Sequence, residues 1–328
     1  MANDRAGKRA TLPQEDEPFE FFRGFSEIFI SIGLVILLIG ATALLTAFGG
    51  FALLTLVPLA TAGIAWWWAG YFTLKRRMTL PSMVLATAYG IGIGIFTFTV
   101  LAQADLGERM IAILGFTASA LGMIAWYRRF RLPFSAFLTG AFALGAVYAV
   151  TASAENLMGL VAGANDFGTF FDLSESPAFA SATLLFGIAA FLTGMWFDTR
   201  DPYRLGRHSA TAFWCHLLAA PALVNTVALT LLNGGGTGLL AVALVFITLL
   251  ALVIDRRSFL TAAIVYVAIV ISWVMGEGGG TSWIFVLLTL GAFITAIGTW
   301  WVQLRAKVMD LLPDFPGKSR LPPYGSTE

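Results

Sequence analysis

Apolar runs recur along the whole of this 328-residue chain, and each is close to the ~20 residues that a helix needs to cross a bilayer. Ten are readable: Ile28 to Phe48, Phe51 to Leu74, Leu80 to Leu101, Met110 to Trp126, Pro133 to Ala152, Phe179 to Phe197, Ala210 to Leu232, Leu239 to Ile254, Phe259 to Met275 and Ser282 to Val302. With 58% of residues hydrophobic and 12% charged, against about 25% charged in soluble domains, lipid is the solvent that suits this composition. A backbone in lipid must satisfy its own polar groups, so the runs are read as helices. The expected fold is an all-α, polytopic transmembrane bundle of ten spans. The first two runs are separated only by the Gly49-Gly50 turn, which reads as a tight hairpin.

Charge orders these runs across the membrane, because cytoplasmic loops retain Lys and Arg. Under a ten-span count nineteen of the twenty basic residues fall on one side, and only Arg109 falls on the other. The acids Asp105, Glu108, Glu155, Asp166, Asp172, Glu175 and Glu277 gather on that other side. An error of one span would scatter the basic clusters over both faces. The topology expected is therefore N-in and C-in, with residues 1–24 a largely disordered cytoplasmic segment, 25–303 the membrane domain and 304–328 a cytoplasmic tail. The leader before the first run carries acids as well as bases, and that run exceeds the 7–15 residues of a signal h-region, so an uncleaved first helix is expected.

The inward basic ring suits anionic lipid headgroups, each cation contributing ~1 kcal/mol near the surface. It is short and juxtamembrane, which argues against a nucleic-acid partner. A protein partner or a homo-oligomer is compatible with the pattern. A single cysteine, Cys215, and two histidines, His208 and His216, leave no spacing for a haem or zinc site, so no cofactor and no metal is expected. The glycines of "AYGIGIGIF" place Gly90 and Gly94 on one helix face and Gly92 on another. Helix packing explains them better than a phosphate loop, since no strand precedes them. The outward connection over 154–177 is too long for a plain turn and is a candidate lid.

Polar residues inside apolar runs are the natural site candidates, because lipid penalises them. His216 lies below the headgroups on the seventh run. Pro221 removes a backbone bond to the Leu217 carbonyl and is expected to open or kink that helix. Asn225 lies deeper, about half a turn round from His216. Glu27 stands at the inner edge of the first run. These four make a candidate polar pocket, and a proton relay between Glu27 and His216 is conceivable. Asp198, Arg200, Asp201, Arg204 and Arg207 read as a charged cytoplasmic loop ordered by Asp-Arg pairs, with Ser209 as the expected N-cap of the following helix. On this reading His216 has no nearby carboxylate.

A repeat is also suggested. Arg76 and Arg128 lie 52 residues apart, as do Arg204 and Arg256, which fits a two-helix hairpin unit. The alternative is a five-helix unit repeated in inverted orientation. Three stretches, "RGFSEIFISIGLVILLIGA", "RHSATAFWCHLLAAPALVN" and "LRAKVMDLLPDFPGKSRLPP", resemble segments of a group of uncharacterised polytopic inner-membrane proteins of proteobacteria. The resemblance implies a bacterial inner membrane and no established activity. It also implies a second histidine near the place of Asn225, so a two-histidine site is not expected here.

Two function classes fit equally well: a permease for a small solute or ion, and a non-catalytic membrane scaffold or complex component. A membrane-embedded enzyme is disfavoured, because Glu27, His216 and Asp198 form no recognised catalytic motif.

Overall fold

Long apolar stretches with internally satisfied backbones become helices, and helices are what the computed structural model contains. It describes residues 24–48, 55–104, 106–151, 171–204, 206–234, 237–259, 264, 267–268, 282–315, 317–322 and 324. Helices run over Phe25–Phe48 (α1), Val57–Ala69 (α2), Thr79–Leu101 (α3), Glu108–Phe130 (α4), Phe134–Thr151 (α5), Pro177–Asp198 (α6), Arg207–Asn233 (α7), Thr237–Ile254 (α8) and Ser282–Leu311 (α9). No strand occurs among the described residues. Seven of these helices, α1, α3, α4, α5, α6, α7 and α9, are long and apolar enough to cross a membrane, as a multi-pass membrane protein requires.

The remaining expected spans are met differently. The second run holds α2, which continues as a π-helical turn over Gly70–Lys75. The eighth holds a shorter apolar helix. The ninth lies outside the described residues apart from its start and isolated positions, as do the Gly49-Gly50 turn, residues 1–23 and residues 154–170 of the 154–177 connection. The helix that holds the last expected span extends past residue 303. Helix α9 continues to Leu311 through non-helical backbone at Trp300, because buried Met309 and Arg305 hold its final turns in place.

Hydroxyls are silenced locally. Ser31, Thr42, Thr87 and Thr226 each donate to the carbonyl four residues earlier, which removes their need for water. Pro58 and Pro177 sit in the first turns of α2 and α6, where a missing N–H costs nothing.

The described residues divide into two compact units, one within Phe19–Ala152 and the other within Ser153–Glu328. In the first, α3 packs against α1, α2, α4 and α5 around a core of Leu34, Leu38, Ala65, Ala69, Leu85, Met123 and Trp126. The three glycines of α3 explain this central place. A Cβ on Gly92 would stand 2.7 Å from the Pro58 carbonyl oxygen of α2. On Gly90 it would meet Phe142 of α5 and Met123 of α4, and on Gly94 it would meet Ser119 of α4. Small residues thus admit neighbours on both faces of one helix, and Ser119 donates to the Gly90 carbonyl at 3.0 Å across the closest approach.

In the second unit α6 and α7 form the most extensive pair, α7 packs on α8, and α8 on α9. Ala219, Ala220, Val224, Leu240, Leu244, Ala251, Phe259 and Trp301 make its core. Leu173 N–H donates to Thr230 Oγ1 at 3.0 Å, tying the entry of α6 to the far end of α7. Four interhelical turns share one device: Arg77, Arg131, Arg204 and Asp255 have φ between 53° and 58°. Left-handed non-glycine residues are uncommon, and here all four lie in or beside basic turns.

Candidate functional site

Asp198 is the last residue of α6, not a solvated loop residue, and is only 4% exposed. His216 of α7 and Arg256, just beyond α8, are fully buried. These three side chains meet. His216 Nε2 lies 2.9 Å from Asp198 Oδ2. Arg256 donates Nε to Oδ2 at 3.2 Å and Nη2 to Oδ1, the bidentate fork that matches a carboxylate. Arg256 Nη2 also donates to the Ser209 carbonyl at 3.1 Å. His216 therefore does have a carboxylate partner, which corrects the sequence expectation. The reversal between α6 and α7 brings together residues 18 apart in the chain.

The imidazole is enclosed by packing. Phe191 and Phe259 flank it with ring centroids at 5.5 Å and 5.9 Å. Below it lies Gly194, where a Cβ would stand 2.7 Å from Cε1 and 2.9 Å from both ring nitrogens. Gly194 and Asp198 are four residues apart on α6 and so share a face. One admits the ring and the other binds its edge. The other nitrogen, Nδ1, is buried and has no hydrogen-bond partner among the described residues. Leaving such a group unmet costs about 1–3 kcal/mol.

A second ion cluster adjoins the first through the Asp255-Arg256 peptide. Arg204 Nη1 lies 2.9 Å from Asp255 Oδ2, Trp301 Nε1 donates to Asp255 Oδ1 at 2.8 Å, and Arg305 Nε lies 3.7 Å from Oδ1. Both arginines also cap α8. Arg204 donates to the Ile254 and Asp255 carbonyls at 3.2 Å and 2.5 Å, and Arg305 donates to the Leu252 carbonyl at 3.1 Å. Cations there oppose the negative end of the helix dipole. Arg305 also donates to the Pro322 carbonyl at 2.7 Å, holding the tail.

The other sequence candidates are placed as follows. Arg200 stacks on Trp196, its guanidinium carbon 3.5 Å from the ring centroid. Asp201 Oδ2 accepts Gly206 N–H at 2.7 Å and Ser209 N–H at 3.4 Å. The start of α7 is thus served by the preceding turn, and its N-cap is Gly206 rather than Ser209. Arg207 is exposed in the first turn of α7. That helix runs unbroken through Pro221, which occupies an exposed position, while Asn225 is half-buried. Pro221 thus faces away from the buried side that holds His216.

Glu27 belongs to the first unit, and its carboxylate has local work. Oε2 accepts the N–H groups of Thr79 and Leu80, each at 3.1 Å. These are donors at the start of α3, where Met78 supplies no side-chain cap. Glu27→Ala is expected to cost about 1–3 kcal/mol by orphaning them. Glu27→Gln keeps an acceptor oxygen and should retain most of that stability in a detergent unfolding assay. Equal losses in the two variants would show that the negative charge at the helix start, not the acceptor, is what matters.

Arg256 is the residue that sequence reasoning missed. In the sequence it is one of a basic pair after an apolar run, the ordinary sign of an inward loop. The detectable hint was the Gly-x-x-x-Asp spacing of α6, which aligns a gap with a carboxylate. Neither a protein family, nor a curated protein, nor a solved structure matched this chain in comparisons with known proteins.

Proposed function

We propose that this chain is a permease for a small solute or ion in a bacterial inner membrane, with ten spans, N-in and C-in, and anionic lipid headgroups against its inward basic ring. The observation that carries the reading is the buried Asp198-His216-Arg256 set, whose aspartate and histidine stand on helices long and apolar enough to cross a membrane. Ionisable groups at such places are costly, and by default they mark ion or substrate paths. The division of the chain at Ala152 and Ser153 also supports it. Five of the ten proposed spans fall in each unit, an odd number per half, which suits the inverted-repeat plan of many transporters.

A structural reading has its own supporting observation: both oxygens of Asp198 are engaged, so the set also ties α6, α7 and the end of α8 together. Flux separates the two. Purified protein in vesicles of mixed neutral and anionic lipid is given an imposed potential and pH gradient, and uptake of radiolabelled acetate, alanine and rubidium is followed. Uptake above protein-free vesicles, lost in His216→Gln at unchanged melting temperature, is expected. If none of the three enters, and His216→Gln only lowers the melting temperature, the permease reading falls and the set is the clamp of a membrane scaffold.

A further inference from the structure

The hydrogen-bond pattern around His216 determines which nitrogen carries its proton. Asp198 receives two donors from Arg256, so it is an ionised carboxylate that can only accept. His216 Nε2 must then donate to Oδ2, and in the neutral ring Nδ1 holds a bare lone pair. That lone pair is buried and unmatched among the described residues. Asp198 bonds the opposite edge of the ring and would hold an imidazolium in place. The charged groups facing the ring are Asp198 from α6, Arg256 from beyond α8 and, farther off, Arg204 from the α6–α7 turn. The thiol of Cys215 is the adjacent group on α7 itself, and Phe191 and Phe259 bring no charge.

We infer that His216 Nδ1 is a proton-binding site, and that the permease proposed above couples its solute to a proton taken up there. The step is simple. A proton from water bonds to the Nδ1 lone pair, no other bond breaks, and the neutral ring becomes a cation with Nε2–H still on Asp198. The Asp198-Arg256 pair is neutral, so uptake changes the charge of the three-residue set from zero to plus one. A buried charge change of that size biases any rearrangement in which the set is more or less exposed, which is how histidine protonation drives structural switches. The coupling, though not the proton site itself, rests on the permease reading.

The chain offers a direct test because His208 is its only other histidine. It is exposed and stacks on Phe197, so His208→Gln should leave the fold intact. The full chain carrying that change and isotopically labelled histidine, in lipid nanodiscs, gives imidazole nitrogen resonances from His216 alone. At the alkaline end the expected spectrum is the neutral tautomer protonated at Nε2. Lowering the pH from about 8 to 5, the range in which histidine changes charge, should convert it to the imidazolium. A ring that stays neutral across that range, or is doubly protonated throughout, overturns the proton site. The flux assay fails independently. A titrating ring without flux leaves the proton site and removes the permease, whereas flux with a silent ring leaves the permease and removes the proton.

Discussion

Asp198→Ala should lower stability by about 3–5 kcal/mol, because it leaves Arg256 charged, buried and without its carboxylate. Both partners of Asp198 are fully buried, so neither can turn to water. The damage should come mostly from the buried cation losing its bidentate carboxylate rather than from the lost bond to His216. The pair variant Asp198→Leu with Arg256→Met should therefore recover much of the loss, as apolar replacements of buried ion sets often do. Unfolding by SDS in mixed micelles reads both. A loss within the ~0.5 kcal/mol of ordinary surface substitutions would show that water reaches the set, and the single and paired variants would then look alike.

Gly194→Ala should be nearly as damaging, which is unusual for the addition of one methyl group to a helix. Alanine is the better helix former by nearly 1 kcal/mol, so propensity alone predicts a gain. Against it stand three atoms of the His216 ring within 2.9 Å of the new carbon. The ring has no free direction of escape, with Phe191 and Phe259 beside it and Asp198 on its edge. Overpacking costs about 1–3 kcal/mol and a displaced bond to a charged group about 1.5–3 kcal/mol, so a net loss of roughly 3 kcal/mol is expected. In a His216→Ala background the obstruction is gone, and Gly194→Ala should turn neutral or mildly stabilising. If its cost is the same in both backgrounds, the ring does not rest on Gly194.

These two substitutions mark where sequence reasoning stopped. The spacing of α6 places Gly194 and Asp198 on one face, and this spacing is visible in the sequence. What faces them is not, because it depends on how α7 returns after the 199–206 turn. The same reasoning applies to Glu27. An acid at the edge of a span looks available until the fold brings the start of α3 to it, 52 residues further along the chain.

The sequence by itself determined that this chain is helical and suited to lipid, because apolar runs of bilayer length leave the backbone no other way to satisfy itself. It also determined that close-packing glycines lie on both faces of α3. The tertiary structure alone decided which charges go inside. Arg256 and Arg257 are neighbours of one residue type at the end of one apolar run, yet Arg256 is fully buried on Asp198 while Arg257 lies 5.2 Å from the centre of the Trp301 ring. The left-handed turn at Asp255 and the positions of α6 and α9 make that choice. Burying a cation is tolerable only where a carboxylate from another helix already waits, and no local pattern records that partner.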